Sequence, residues 1–297
     1  MNEDVKDQGK DLMRLIQIRF SRLRKGQKRI AEYILKNYDK AAFMTAAKLG
    51  TSVGVSESTV VRFANELGFS GYPKLQKALQ ELIKNKLTTV QRLELSNDFV
   101  TNGDALKGVL KADMENIRAT LEKINPYTFE QVLNSIFKAK NIYIIGLRSS
   151  TALSEFLGFY LNIILQNVRV VSYGISDIFE QMIYVKEGDL VIGIGFPRYA
   201  AKTIDVLDFS KAKGAEVVAI TDSLLSPLAS KSDYTLIAQS NMASFVDSLV
   251  APLSVINALI IAVGMREKED VSEIFGSLEQ IWQDYYVYSY NNRNMSD

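Results

Sequence analysis

The stretch Leu49–Leu67, LGTSVGVSESTVVRFANEL, reads as a helix, a tight turn and a second helix. Gly50 lets two helices approach closely, because a larger side chain there would push them apart. Gly54, four residues on, supplies the backbone freedom that a sharp turn demands. Ser56 falls where a helix N-cap belongs, with a hydroxyl placed to accept from an early backbone N–H. Beyond Glu57, the residues Val60, Phe63, Ala64 and Leu67 follow the i, i+3, i+4, i+7 rule and form one apolar stripe. The opposite face carries Ser58, Arg62 and Asn65, flanked by Thr59, Val61 and Glu66. Such side chains can read base edges or hold phosphates, which is what a helix lying in a DNA major groove must do. Taken alone, the same pattern also describes an ordinary helical hairpin with a solvated polar face.

The charge around the stretch favours DNA. Residues 1–90 hold 17 Lys and Arg against 9 Asp and Glu, whereas residues 91–297 hold 18 against 25. The net charge of +1 thus conceals a basic third joined to an acidic remainder, and the basic part suits a polyanion. Working outward, Leu12–Phe20 is a mixed apolar and basic segment. Lys25–Tyr38 follows as a helix with Ile30, Ile34, Leu35 and Tyr38 inward. Arg22, Arg24, Lys25, Lys28 and Arg29 crowd its start, as candidate phosphate contacts on a duplex. After the second helix of the hairpin comes GFSGYPKLQKAL. There Gly68 and Gly71 end one helix and Pro73 suits the first turn of the next, which brings Lys74 and Lys77 as further phosphate candidates.

Composition bounds the chemistry. At 297 residues with 47% hydrophobic content, the chain has room for two domains with buried cores. It contains no cysteine and no histidine, which excludes disulfides, thiolate chemistry and the commonest general base and metal ligand. The charged start, MNEDVKDQGK, lacks the apolar core of a secretory signal. One long apolar stretch, Val246–Met265, is interrupted by Asp247, Pro252 and Asn257 and reads as a buried helix, not a membrane span. A cytoplasmic protein without membrane contact is the expectation.

Thr88–Gly103 is polar with weak periodicity and reads as a linker. Helices over Asp104–Ile124 and Tyr127–Lys138 lead into a different kind of domain. Strands are expected at Asn141–Ile145, Val168–Ser172, Asp189–Ile194, Glu216–Thr221 and Tyr234–Ala238. Helices are expected between them, near Thr151–Gln166, Ser176–Tyr184 and Thr203–Lys213. Continuous apolar strands alternating with helices indicate a parallel five-stranded sheet flanked by helices. Ligands of such sheets bind at the carboxyl ends of the strands, where helix N-termini face anions. The loops Leu147–Thr151, Gly195–Lys202 and Asp222–Ser226 lie there.

These residues carry a family resemblance. LGTSVGVSESTVVRF and GFSGY, then GLRSS, DLVIGI, AKGAEVVAITDS and SPLASKSDYTL, resemble the RpiR/MurR family of bacterial transcriptional regulators over nearly the whole chain. The resemblance implies an all-α helix-turn-helix domain, an α/β sugar isomerase (SIS) domain that binds a phosphosugar, and control of DNA affinity without catalysis. The boundaries expected are 1–87 for DNA binding, 88–123 for linker and connecting helix, and 124–290 for ligand binding and dimerisation. The DNA-contacting set is Lys25, Lys28, Ser56, Ser58, Thr59, Arg62, Asn65 and Lys74, acting on a double-stranded operator.

The chain departs from the family at one loop. Family members usually follow the third strand with a Ser-x-Ser-Gly-x-Thr type segment, whereas here Gly195, Pro197 and Ala200 occupy hydroxyl positions. What remains is Arg148, Ser149, Ser150 and Thr151 after the first strand, with Arg198, Lys202 and Thr203 after the third. A guanidinium can hold a phosphate or carboxylate bidentately, so an anionic sugar metabolite is still expected. The plainer alternative makes Arg148, Arg198 and Lys202 surface charges around a degenerate pocket. Thr221, Asp222 and Ser223 line a third side or simply cap a turn.

No cofactor or metal is expected. The competing function is a sugar-phosphate isomerase-like enzyme with a helical appendage. Aldose–ketose isomerisation needs a placed base and an acid, and without histidine only carboxylates such as Glu155 or Glu180, or a lysine, remain. One recognition helix reads few base pairs, so a homodimer or homotetramer on repeated half-sites is expected. Val246–Met265 and the aromatic run Trp282–Tyr290 are candidates to pair second domains, or to complete one chain's own core.

Overall fold

The computed structural model describes residues 8–83, 89–90, 92, 105–242 and 245–288. The expected linker at 88–103 lies largely outside the described residues, as do Ser289 and Tyr290 of the aromatic run. The chain divides into two compact units: Met1–Leu110 with Met242–Asp247, and Lys111–Asn241 with Ser248–Asp297.

The first unit is helical. Its elements are α1 (Gln8–Arg19), α2 (Lys25–Ala41), α3 (Ala46–Val53), α4 (Glu57–Glu66) and α5 (Tyr72–Ile83). The apolar stripes read from sequence converge on one core, in which Ile16, Ile30, Ile34, Leu49, Val60, Phe63, Leu75 and Leu79 are wholly buried. Thr45 caps α3 by accepting from the Lys48 N–H. At the far end of α3, Gly54 adopts φ +66°, a left-handed conformation that glycine enters without strain. Gly50 answers a different need, since a Cβ there would meet the Val55 carbonyl oxygen at 2.8 Å. α2 bends at Asn37 (φ −136°, ψ 42°), whose side-chain amide donates to the Tyr33 carbonyl. Tyr72 is buried, its hydroxyl donating to the Met44 carbonyl at 2.6 Å; burial pushes its pKa up from 10.0 to about 12. Arg92 and Asp247, 155 residues apart in sequence, form an ion pair at 2.9 Å with the arginine side chain 1% exposed.

The second unit is an α/β layer structure. Its first helix, α6 (Ala105–Lys123), starts in the first unit, and α7 (Pro126–Lys138) follows, with Asn125 accepting from the Tyr127 and Thr128 N–H groups. The strands are β1 (Ile142–Gly146), β2 (Val168–Val171), β3 (Leu190–Ile194), β4 (Glu216–Thr221) and β5 (Tyr234–Ile237). Between and after them lie α8 (Thr151–Leu165), α9 (Ile178–Gln181), α10 (Ala201–Ala212), α11 (Val250–Arg266) and α12 (Lys268–Asp284). The sheet order is β2-β1-β3-β4-β5, every pair parallel, with Ile142 beside both Val168 and Leu190.

Both sheet faces are covered, which is why the strands read as unbroken apolar runs. Ile142, Ile144, Ile192 and Ile220 face α7, α8 and α11, while Tyr143, Ile145, Val191 and Val217 face α9 and α10. α8 lies tight on β2 because Gly158 leaves room for the Val170 side chain. α9 is one turn long, far shorter than the span expected over Ser176–Tyr184. α11 buries Ala251, Pro252, Val255, Ile256, Leu259 and Val263 in the core beside α8. The apolarity of Val246–Met265 is therefore spent largely inside one chain. Ile261 and Met265 remain outside, 60% and 73% exposed. Among the described residues, no single helix is long and apolar enough to cross a membrane.

Candidate nucleic-acid interface and ligand site

The hairpin α3–α4 is fixed by backbone. The Val55 N–H donates to the Gly50 carbonyl at 2.8 Å, and the Arg29 guanidinium donates to the Gly54 carbonyl at 3.2 Å. Arg29 therefore braces the turn. At the other end of α4, the Arg19 guanidinium donates to the carbonyl oxygen of Glu66. Val60, Phe63, Ala64 and Leu67 are buried, which leaves Ser58, Arg62 and Asn65 exposed. Ser56 stands at the N-cap position, but its hydroxyl makes no cap bond. It bonds instead to the Ser58 and Thr59 hydroxyls at 3.0 and 2.9 Å, a local alternative that short hydroxyl side chains offer.

A cleft of about 660 Å³ runs along this face. Ser56, Thr59, Arg62 and Asn65 line it from α4, and Arg24, Gly26 and Gln27 from the start of α2. Gly26 sits where a Cβ would touch Thr59 and Val55 at 3.4 Å, so α2 begins close against α4. Arg24 and Gln27 join the cleft without having been picked out as base-facing. Lys25 is exposed at the first residue of α2 and Lys74 in the first turn of α5, both outside the cleft. Lys28 lies with its ammonium 5.7 Å from the Phe20 ring centre.

At the carboxyl edge of the sheet, chain direction diverges between β1 and β3: β2 follows β1 on one side, β4 follows β3 on the other. The loops after β1 and β3 thus open a crevice where ligands of such sheets sit. After β1, Gly146 permits the loop to fold back, since a Cβ there would meet the Ser150 carbonyl oxygen at 2.6 Å. Arg148 and Ser149 are exposed, Ser150 is buried and Thr151 opens α8. After β3, Arg198 is exposed and Thr203 is buried in the first turn of α10.

Three features mark this crevice. Arg148 and Arg198 take φ of +60° and +65°, values rare for any residue but glycine. Neither α8 nor α10 receives a side-chain cap hydrogen bond; of their early N–H groups, that of Thr151 donates to the Arg148 carbonyl and that of Thr203 to the Ala200 carbonyl. The Thr203 hydroxyl, 1% exposed as a residue, has no hydrogen-bond partner. Lys202 instead holds its ammonium 4.9 Å from the Phe179 ring centre.

The loop that departs from the family pattern has a steric cause at one position. A Cβ on Gly195 would lie 2.8 Å from Leu228, so the side chain of Leu228 fills the space a serine would need. A third side was only half legible. The Tyr199 hydroxyl donates to Asp222 Oδ1 at 2.7 Å, tying the β3 loop to the end of β4, and the Thr221 hydroxyl reaches the same oxygen at 3.3 Å. Gln239 donates to the Asp222 carbonyl at 2.9 Å. Among the described residues no cluster of three or more metal-ligating side chains occurs.

Comparison with known proteins agrees with this geometry. A helix-turn-helix domain model of the rpiR family matches residues 10–86, and a SIS domain model matches residues 135–262. The HTH-type transcriptional regulator HexR of Pseudomonas aeruginosa is 26% identical over 278 residues, 88% of this chain and 92% of its own. The sugar isomerase domain of an RpiR transcription factor from Sphaerobacter thermophilus superposes with a TM-score of 0.56 at 28% identity. That match covers 58% of this chain and 96% of that one. The Vibrio vulnificus NanR protein, solved in complex with ManNAc-6P, shares the fold at a TM-score of 0.52 and 19% identity, covering 91% and 98% of the two chains. With an rpiR-type helix-turn-helix domain and a SIS domain in that order, matched over more than two thirds of its length, the chain belongs to the RpiR family of transcriptional regulators.

Proposed function

We propose that the chain binds a double-stranded DNA operator through α4 and that a phosphosugar or related anionic sugar metabolite, bound at the carboxyl edge of the sheet, controls that binding. The observation that carries the ligand half is the pair of uncapped helix starts, α8 and α10, with a buried, unpartnered Thr203 hydroxyl beside them. Backbone N–H groups at helix starts are donors aimed at an anion, and Arg148 and Arg198 add positive charge at the rim. The phosphosugar bound by the NanR neighbour supports the same ligand class. On this reading residues 1–87 contact DNA and residues 124–290 bind the effector. The protein acts as a homodimer or homotetramer, in the cytoplasm.

The role is regulatory and not enzymatic. Asp222 is a carboxylate brought to the crevice, and its Oδ1 already accepts from two hydroxyls. Glu180 accepts from the Asp177 N–H as part of a helix cap, and Glu155 is exposed on α8. Neither stands out as a base for carbon acids. On DNA, Arg62→Ala should lose about 1–3 kcal/mol and relax sequence choice, as expected of a bidentate base contact. Lys28→Ala should weaken all sequences alike and flatten the salt dependence.

The deciding experiment is a fluorescence-anisotropy titration of operator DNA, repeated across a panel of sugar phosphates, with isomerase turnover followed in parallel. The expected outcome is an effector that moves the DNA midpoint in the wild type and not in Arg198→Ala, with no turnover. A midpoint moved equally in both would place the anion elsewhere, and turnover of the effector would make the protein an enzyme.

A further inference from the structure

Gln27 uses only half of its side-chain amide. It stands in the first turn of α2 and is 8% exposed. Its Oε1 accepts from the Arg24 N–H at 3.0 Å. Because the partner there is a donor, the accepting atom is the oxygen, and the orientation of the amide is settled. The Nε2 on the other side donates to no group among the described residues, and Gln27 lines the cleft between the start of α2 and α4. A donor held in so nearly buried a side chain is satisfied only by an acceptor that enters the cleft.

The walls around it are rich in donors. The N-cap of α2 is Arg24, whose guanidinium has N–H groups and no acceptor. The N–H groups of Lys25 and Gly26 therefore open the helix with no acceptor among the described residues. On the α4 side, the hydroxyls of Ser56, Ser58 and Thr59 carry three donors and share two hydrogen bonds, so one donor is left over. Glu66 is the acid that lines the cleft, at its far end. Ser56 and Glu66 are about 15 Å apart along the helix axis, beyond a screening length of about 8 Å. The end near Gln27 is thus built to receive an anion.

A helix lying in the major groove is flanked by the sugar-phosphate strands that wall it. The cleft runs along the flank of α4, between the exposed face of Ser58, Arg62 and Asn65 and the buried stripe, where such a strand passes. We propose that this end of the cleft clasps one phosphate of the duplex, between the Gln27 Nε2 and the N–H groups of Lys25 and Gly26, with Arg24 beside it. Gln27 is then a positioning residue, which sets how deeply Arg62 enters the groove. The proposal rests on the DNA-binding reading above and adds a contact to it. With Oε1 committed to Arg24, Gln27 cannot present the donor and acceptor pair that reads adenine. Donors alone suit a phosphate oxygen, a contact that carries no sequence information.

Gln27→Glu separates the clasp from the cap. A glutamate here still accepts from the Arg24 N–H, as in a capping box, but it offers no donor and sets a negative charge against the phosphate. The probes are a duplex selected from a random pool by the wild-type protein and a mixed-sequence duplex. Gln27→Glu should melt at or above the wild-type temperature and bind both duplexes about tenfold to a hundredfold more weakly. Reselection should return the same base preference. Replacing phosphates one at a time by uncharged methylphosphonates should reveal a position that weakens the wild type and leaves Gln27→Glu indifferent. Wild-type affinity in Gln27→Glu would overturn the clasp. So would a changed base preference, which would make Gln27 a base reader, or a lowered melting temperature, which would show that the cap bond needs the amide. Failure of the wild type to enrich any duplex would refute the DNA-binding reading itself, and the clasp with it.

Discussion

Arg148 offers a test in which the backbone and the side chain can be separated. Its φ of +60° is a conformation that costs a residue bearing a Cβ about 1–2 kcal/mol and costs glycine almost nothing. Replacing it with alanine removes the guanidinium and keeps the strain. Replacing it with glycine removes both, at an entropic cost of about 0.5–1 kcal/mol relative to alanine. The glycine variant should therefore be the more stable of the two by about 0.5–1 kcal/mol. For a unit of this size that is a melting temperature roughly 1–3 °C higher. At an ordinary φ the order would be reversed, so the sign alone decides. The same two proteins, heated with and without inorganic phosphate, report the side chain. A charged hydrogen bond contributes about 1.5–3 kcal/mol, so both variants should lose most of the phosphate-induced shift seen in the wild type. The expected pattern is a glycine variant that is firmer than the alanine variant and equally deaf to phosphate. A glycine variant melting below the alanine variant would refute the claim that strain is held at this loop. A full phosphate shift in either would remove Arg148 from the site.

Three further outcomes follow from the first unit. Gly50→Ala gains about 1 kcal/mol of helix propensity but drives a Cβ to 2.8 Å from the Val55 carbonyl oxygen, a clash of the kind that costs about 1–3 kcal/mol; urea denaturation should show a net loss, and a gain would mean the turn gives way freely. Tyr72 ionises near pH 10 when unfolded and at about 12 when folded, so the stabilisation it contributes is intact below pH 10 and lost as pH rises through 12. Tyr72→Phe should flatten that alkaline limb in a pH series of melts, and should cost little at neutral pH because Gln76 still donates to the Met44 carbonyl. Asp247→Ala strips a carboxylate from a buried guanidinium and should cost about 3–5 kcal/mol, largely recovered when Arg92→Met is added; an Asp247→Ala protein as stable as wild type would show that the pair contributes nothing.

What could be read from the sequence was whatever is written in periodicity. The 3.6-residue spacing of Val60, Phe63 and Leu67 and the apolar runs NIYII, DLVIGI and EVVAIT identified the helices and the parallel sheet, because burial on one or both faces imposes those patterns directly. Strand ends shifted by a residue or so, as at β1, which closes on Gly146. Features that depend on distant partners were not legible. Nothing local in Arg92 announces Asp247, nothing in Gly195 announces Leu228, and the φ of Arg148 and Arg198 is set by loop closure. Ser56 was assigned to the right position with the wrong bond, because its hydroxyl had a choice between backbone and neighbouring hydroxyls.

The ion pair between Arg92 and Asp247 bears on how such a chain can be cut and recombined. The first compact unit is discontinuous: it takes a six-residue piece, Met242–Asp247, from between β5 and α11. A contiguous N-terminal fragment running past Arg92 would bury that guanidinium without its aspartate, and a C-terminal fragment would carry the aspartate with nothing to neutralise. A cut that separates these two residues strands a buried charge, whereas one made after α5 and before Arg92 leaves the pair together on the C-terminal side. The point at which such chains can exchange their helical starts is therefore narrow, lying between the end of α5 and Arg92.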